Sequence, residues 1–177
     1  MEWTELFCSV DDFCRQFEPI WRCRQLESEG RKRRRRSGLC SSEIMTILIA
    51  FQSSNHRHFK HFYLMLLDQH KAEFPDLVSY GRFVKLIASV AAPMCVYLQT
   101  RFGDCTGVSF IDSTALAVCG NKRIRRNRVF KGLAARGKTT MGWFYGFKLH
   151  LVINELGELL AVRALHYWLF RQQQSIL

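Results

Sequence analysis

The order of the apolar patterns predicts an α+β fold in which helices come first and strands after. Three observations carry this reading. From the N-terminus to about residue 105, apolar residues recur at spacings of three and four, the period of a helix with one buried face. From Gly107 onward the period drops to two and β-branched and aromatic residues become frequent, which suits strands. With 48% hydrophobic residues, a chain of 177 can bury a sizeable core, so both patterns have something to pack against.

The helical elements follow in order. Ser9 can cap a first helix, with Asp12 at the capping-box position. Phe13, Phe17, Ile20 and Trp21 then share a face, and Pro19 inside that pattern predicts a kink or an end. Ser41 and Ser42 offer a second cap, ahead of Ile44, Leu48 and Phe51 on one face. A third helix runs through Phe59, Phe62, Tyr63 and Leu66. A fourth starts at Ser79 and carries Phe83, Leu86, Ile87 and Val90 to Pro93, which ends or bends it.

The strands follow. GVSFID is short and rich in β-formers, and reads as a buried strand; residues 115–119 continue it after a break or form a second short strand. FYGFKLHLVIN alternates, with Phe147, Leu149, Leu151 and Ile153 on one face and Lys148, His150 and Val152 on the other. The turn NELGE then returns the chain into LLAVRAL, which makes a β-hairpin with a glycine in its loop.

Composition narrows the function classes. The formal net charge of +11 favours a polyanionic partner, nucleic acid or an anionic membrane surface. The longest purely apolar run, residues 44–51, is far below the roughly 18–20 residues that span a bilayer. MEWTELFC has early acids and no basic region, unlike a signal peptide. Seven cysteines, an odd number with no CxxC pair, argue against a disulfide framework and a zinc site and for reduced cytoplasmic thiols that mostly pack.

Three features could carry chemistry. Asp112 ends the apolar run GVSFI, where a sheet would hold a metal-binding carboxylate rigidly; as Asp-Ser-Thr it is equally good turn chemistry, and the residues alone leave both readings open. The basic material includes a run at 31–36, with Arg33, Arg34 and Arg35, which suits phosphate contact or a solvated loop. It also includes NKRIRRNRVFKGLAARGK, where Lys122, Arg123, Arg125, Arg126, Arg128, Lys131, Arg136 and Lys138 are interleaved with Ile124, Phe130 and Leu133. Gly132, Gly137 and Gly142 keep that backbone adaptable. His56, His58 and His61 cluster without an acid or cysteine beside them, which fits surface histidines better than a metal patch.

FIDST, then VFKGLAARGKTTMGWFYGFKLHLVINELGELL, resembles the core of DDE-type insertion-sequence transposases of the bacterial family numbered nine-eight-two. LFCSVDDFCRQFEP, SSEIMTILIAF, FKHFYL and FPDLVSYGRFVKL are similar to the same family, so the resemblance covers about residues 3 to 164. It implies a helical, DNA-end-binding domain over 1–105 and the N-terminal part of a catalytic domain over 106–165. The latter would be the first strand and β-hairpin of an incomplete ribonuclease H-like core. It puts Asp112 at the family's first catalytic aspartate. It implies Mg²⁺, or Mn²⁺, held by carboxylates at the scissile phosphate, with terminal inverted repeats and target DNA as partners. A homo-oligomer or association with an intact transposase, and a cytoplasmic location, are implied with it.

The chain departs from that family in its acids. After Asp112 only Glu155 and Glu158 remain, both in or beside the hairpin turn, and the turn is expected far from Asp112; Asp104 is expected near the opposite end of the strand. Family-like text stops after residue 165, and 166–177 read as an aberrant tail left by a frameshift or internal stop. The expectation is a truncated and catalytically inactive copy with a folded helical domain and a marginal second half, whose exposed sheet Trp168, Leu169 and Phe170 would patch in part. Two other classes compete. One is a DNA-binding remnant that inhibits the intact enzyme, with 41–51 or 79–90 as its recognition helix. The other is a basic RNA-binding protein. A membrane role is weakest, because the basic runs lack an amphipathic partner helix.

Overall fold

The computed structural model describes residues 3–29 and 38–165, with side chains for 3–24 and 38–164. The basic run at 31–36, with Arg33, Arg34 and Arg35, and the tail at 166–177 lie outside the described residues. Among the described residues the fold is α+β, four helices followed by an antiparallel four-stranded sheet. The chain divides into two compact units, Met1–Thr100 and Arg101–Leu177.

The first unit holds α1 (Trp3–Glu29), α2 (Ser41–Ser53), α3 (Phe59–Gln69) and α4 (Tyr80–Gln99). Its core is aromatic. Tyr63 and Phe83 approach to 4.6 Å between ring centroids, and Phe59, Phe62 and Phe51 extend the cluster. Trp3 closes one side against Phe62 and Phe74. The buried Tyr63 hydroxyl donates to the Val78 carbonyl at 2.6 Å, which satisfies that polar atom inside the core.

Of the outcomes expected at Pro19 and Pro93, an end or a bend, the end does not occur. α1 runs through Pro19 and α4 runs through Pro93. A proline inside a helix removes one hydrogen bond and costs about 3 kcal/mol. In α1 the stacked rings of Phe13, Phe17 and Trp21, 5.3 and 5.6 Å apart, bridge the lost bond. Ion pairs Asp11–Arg15 and Glu18–Arg22 lie along the same helix. In α4 the Pro93 ring is buried and packs as an apolar group beside Val90. Ser9 does not cap α1, which begins six residues earlier; its hydroxyl shares a hydrogen bond with Tyr97 at 3.1 Å. At α2 the N-cap is Cys40, whose N–H donates to Glu43 at 2.7 Å, while Ser42 turns inward and donates to Asp11. α4 is long and apolar enough to cross a membrane by length and composition alone. Counting uninterrupted apolar runs misses it because Arg82 and Lys85 break the run, yet Phe83 and Val90 on this helix are core residues. The cysteines are all free thiols, but five of them, Cys8, Cys23, Cys40, Cys95 and Cys105, are exposed rather than packed. Cys14 is buried, and that burial pushes its thiol up to about 11.

The second unit holds β1 (Ser109–Cys119), a 3₁₀ turn η1 (Asn121–Arg126), β2 (Ala135–Thr139), β3 (Gly142–Asn154) and β4 (Leu159–Leu165). β3 is central. β1 pairs along one side of it, and β2 and β4 share the other side, β2 near its start and β4 near its end. SFID of the GVSFID stretch and residues 115–119 therefore belong to one strand, and Asp112 is its fourth residue rather than its end. β1 is also exposed rather than buried, with Ile111 at 74% and Phe110 at 56%, because it is a sheet edge with no covering layer among the described residues.

Two local devices set this sheet. Gly146 sits where β1 bulges between Ala117 and Cys119, and a Cβ there would collide with the Leu116 carbonyl of β1. The β3–β4 turn is held by Asn154, which is buried. Its Oδ1 accepts from the N–H groups of Leu156 and Glu158, and its Nδ2 donates to Glu158 and to the Asp104 carbonyl. Gly157 supplies the left-handed φ of +79° that closes the turn. Of the glycines expected to loosen the basic segment, Gly132 and Gly142 have positive φ, whereas Gly137 is an ordinary buried β2 residue opposite Phe144.

Two outcomes follow from this packing. Gly146→Ala should destabilise the second unit by about 1–3 kcal/mol by forcing β1 off β3, read as a lower midpoint in denaturant for a probe in the sheet. Tyr63 gives a pH signature. Burial pushes its phenol up to about 12 from 10.0, so the unfolded chain loses that proton first, and stability falls as pH rises from 10 toward 12. Tyr63→Phe should cost about 1 kcal/mol at pH 7 through the lost hydrogen bond and make the alkaline decline measurably shallower.

Candidate nucleic-acid interface

The sheet register decides which sequence-predicted residues meet. Asp112 pairs with Leu151, and Leu151 pairs with Val162, so the acid stands in a row with two apolar side chains. Directly opposed residues share a face, so Asp112, Thr114 and Leu116 lie on the face of Leu151, Leu149 and Phe147. His150 pairs with Ser113 and belongs to the other face, away from Asp112.

Part of the basic segment reaches this same face. Phe130 meets the Phe147 ring edge-on at 5.7 Å, and its N–H donates to the Asn127 side chain at 3.2 Å. That contact anchors the loop carrying Arg128 and Lys131 about four residues, roughly 14 Å, along β3 from the Asp112 row. Further along, Arg136 pairs with Tyr145 and Lys138 with Trp143, which puts both cations on the Asp112 face at the β2–β3 hairpin. Trp143 is eight residues, about 27 Å, from Leu151 along the strand.

Local sequence explains the display of charge on η1. In a 3₁₀ turn residues three apart align, so Lys122 aligns with Arg125 and Arg123 with Arg126. Ile124, half-buried, turns toward a cleft it shares with Asn121, Arg136, Trp143 and Phe144. All eight cations, Lys122, Arg123, Arg125, Arg126, Arg128, Lys131, Arg136 and Lys138, are exposed, and none is in an ion pair among the described residues. Such a face attracts phosphate because each contact releases condensed counterions.

The acids behave otherwise. Asp112 is exposed, and its Oδ1 accepts from the Ser113 N–H at 2.7 Å. Asn154 ties Glu158 and the Asp104 backbone together at the β3–β4 turn, and Ser109 pairs with Asn154. Asp104, Glu155 and Glu158 thus all belong to the end where β1 starts. The antiparallel register gathers these acids at one strand end, as the sequence predicts, but Asp112, as the fourth residue of β1, lies only three residues from Ser109. Even so, no group of three His, Cys, Asp or Glu that could hold a metal exists among the described residues. A lone exposed carboxylate does not fit a divalent-ion site, which needs several oxygen ligands. His56, His58 and His61 form no metal group either: His56 packs edge-on to Phe62, and His58 and His61 face each other at 5.9 Å.

Sequence reasoning missed Trp143 and Asn121. The alternation that marks Phe147, Leu149 and Leu151 extends two steps back to Trp143, and that was the available signal. Asn121 follows Gly120, and its Nδ2 donates to the Trp143 carbonyl at 2.8 Å, a contact visible only in the fold.

Residues 102–166 match the family model described as Transposase DDE domain. No curated protein and no solved structure matches the chain. The matched segment contains β1 with Asp112, the whole basic segment, and the sheet that orders them.

If the η1 cations contact phosphate, replacing Arg125 and Arg126 by alanine should weaken DNA binding about equally for all sequences. It should also reduce the slope of log K against log salt by about two, measured by fluorescence anisotropy at several salt concentrations.

Proposed function

We propose that this chain is a transposase-type DNA-binding protein that holds DNA without cutting it. One observation carries the reading: the segment matching a transposase DDE domain displays eight exposed cations without an ion pair among the described residues, with Arg136 and Lys138 on the sheet face of Asp112 and Arg128 and Lys131 on a loop anchored to that face. Arg128 and Lys131 are fixed by the Phe130–Phe147 contact, and Arg136 and Lys138 by β2 pairing, so phosphates would meet a partly preorganised surface.

The finer assignment rests on the sequence resemblance. It would make the chain a relative of the insertion-sequence family numbered nine-eight-two, with its first unit recognising terminal inverted repeats and its second unit corresponding to the opening strands of a ribonuclease H-like core. The antiparallel run β1–β3–β4, with an acid on the first strand, supports that correspondence. Catalysis with Mg²⁺ or Mn²⁺ is not part of the proposal, because Asp112 lacks companion ligands among the described residues. A chain that binds the element's ends without cleaving them would compete with, or co-assemble with, a cleavage-competent transposase.

The test is a binding and nicking assay on the element's terminal repeat with Mg²⁺ or Mn²⁺, run beside Asp112→Ala and an RNA competitor of the same sequence. Binding of the repeat, with no nicking by either protein, is expected. Nicking that disappears in Asp112→Ala would overturn the non-cleaving reading. Equal displacement by RNA would overturn the DNA reading.

A further inference from the structure

Trp143 is 64% exposed at the tip of the β2–β3 hairpin, next to Met141 at 96%. An indole is among the costliest side chains to leave in water, so a bare tryptophan on a charged surface calls for a partner. Three features surround it. Lys138 Nζ lies 5.9 Å from the ring centroid, on the side chain directly opposite in the register. Asn121 fixes the Trp143 backbone by donating to its carbonyl, so the ring projects from a pinned position. Beside it opens a cleft of about 320 Å³, lined by Trp143, Phe144 and Ile124, with Arg136 and Asn121 as its polar groups. That volume is at the small end of the range for ligand sites.

The chemistry of this corner selects its ligand. A protein partner would bury an aromatic anchor amid a surface poor in lysine, because lysine is depleted at interface centres. Here Lys138 stands over the ring, Arg136 lines the same cleft, and the cleft's Asn121 and Ile124 belong to η1, whose other residues are Lys122, Arg123, Arg125 and Arg126. A flat apolar face bordered by phosphate-seeking charge matches a nucleobase freed from its pair, which presents a π-face and carries its own phosphate. A paired base inside a duplex cannot offer that face.

We infer that Trp143 and its cleft form a stacking site for an unpaired base of bound DNA. The ring takes the base, Arg136 and Lys138 hold the adjoining phosphates, and Asn121 keeps the platform in place. The inference rests on the DNA-binding reading above. It adds that the protein prefers DNA with an unpaired nucleotide, such as a frayed end, over intact duplex.

The test uses the full chain and two DNAs of identical length, one fully paired and one carrying 2-aminopurine opposite an abasic position. Stacking on an aromatic ring favours the unpaired form by roughly five- to one-hundred-fold. Wild-type protein should show such a preference and quench the 2-aminopurine. Trp143→Ala should bind paired DNA as wild type does but lose both the preference and the quench, and Trp143→Phe should keep most of each. Wild-type binding that is equal for the two DNAs, or a preference that survives in Trp143→Ala, overturns the stacking site while leaving DNA binding intact. Failure of wild type to bind either DNA overturns the DNA-binding reading, and the stacking site with it.

Discussion

β3 pairs with every other strand of the second unit, so the register along this one strand decides which side chains share a face. That register depends on the close approach of β1 and β3 at Gly146, where no side chain fits between the strands. Because the β-period is two, a one-residue slip would move Asp112 to the face of His150 and turn Trp143 away from Lys138. The bulge at Ala117/Cys119 and the Asn154 turn pin the two ends of β3 and exclude such a slip. The common placement of an acid, an anchored basic loop and a cationic hairpin is a consequence of those two fixtures.

The first unit is stabilised differently. Its core is a network of rings and long aliphatic side chains on four helices, with the Tyr63 hydroxyl satisfied by a backbone carbonyl. Aromatic stacking along α1 and burial in α4 outweigh what two prolines take from the backbone. This is tertiary packing overriding local propensity, the usual outcome when a helix has a strongly apolar face.

The second unit leaves one strand of its sheet open. β1 is an unpaired edge among the described residues, and Phe110, Ile111 and Leu116 stand exposed on it. The same openness that leaves Asp112 in water also leaves the cations available to phosphate. Charge is thus abundant, and groups of carboxylate ligands absent among the described residues, in the segment that matches a transposase DDE domain. A surface of that composition suits holding DNA, while cleavage chemistry would need further acids close to Asp112.

The sequence by itself determined the α+β order, the β3–β4 hairpin with its glycine, and the basic segment beside Asp112, because periodicity, turn chemistry and charge are local properties. It also determined the third helix and the start of the fourth to within a residue or two, since Phe59, Tyr63, Phe83 and Val90 fall at helical spacing. Only the tertiary structure decided that neither Pro19 nor Pro93 ends its helix, because ring stacking along α1 and burial of the Pro93 ring are properties of the folded chain. Only it decided that β1 runs on past Asp112 as an exposed edge, because hydrophobic strand text looks the same whether or not another layer covers it. And only the pairing of β3 with both β1 and β2 brought Asp112, Phe130, Arg136, Lys138 and Trp143 to one face, since facing across a sheet is a matter of register between distant segments.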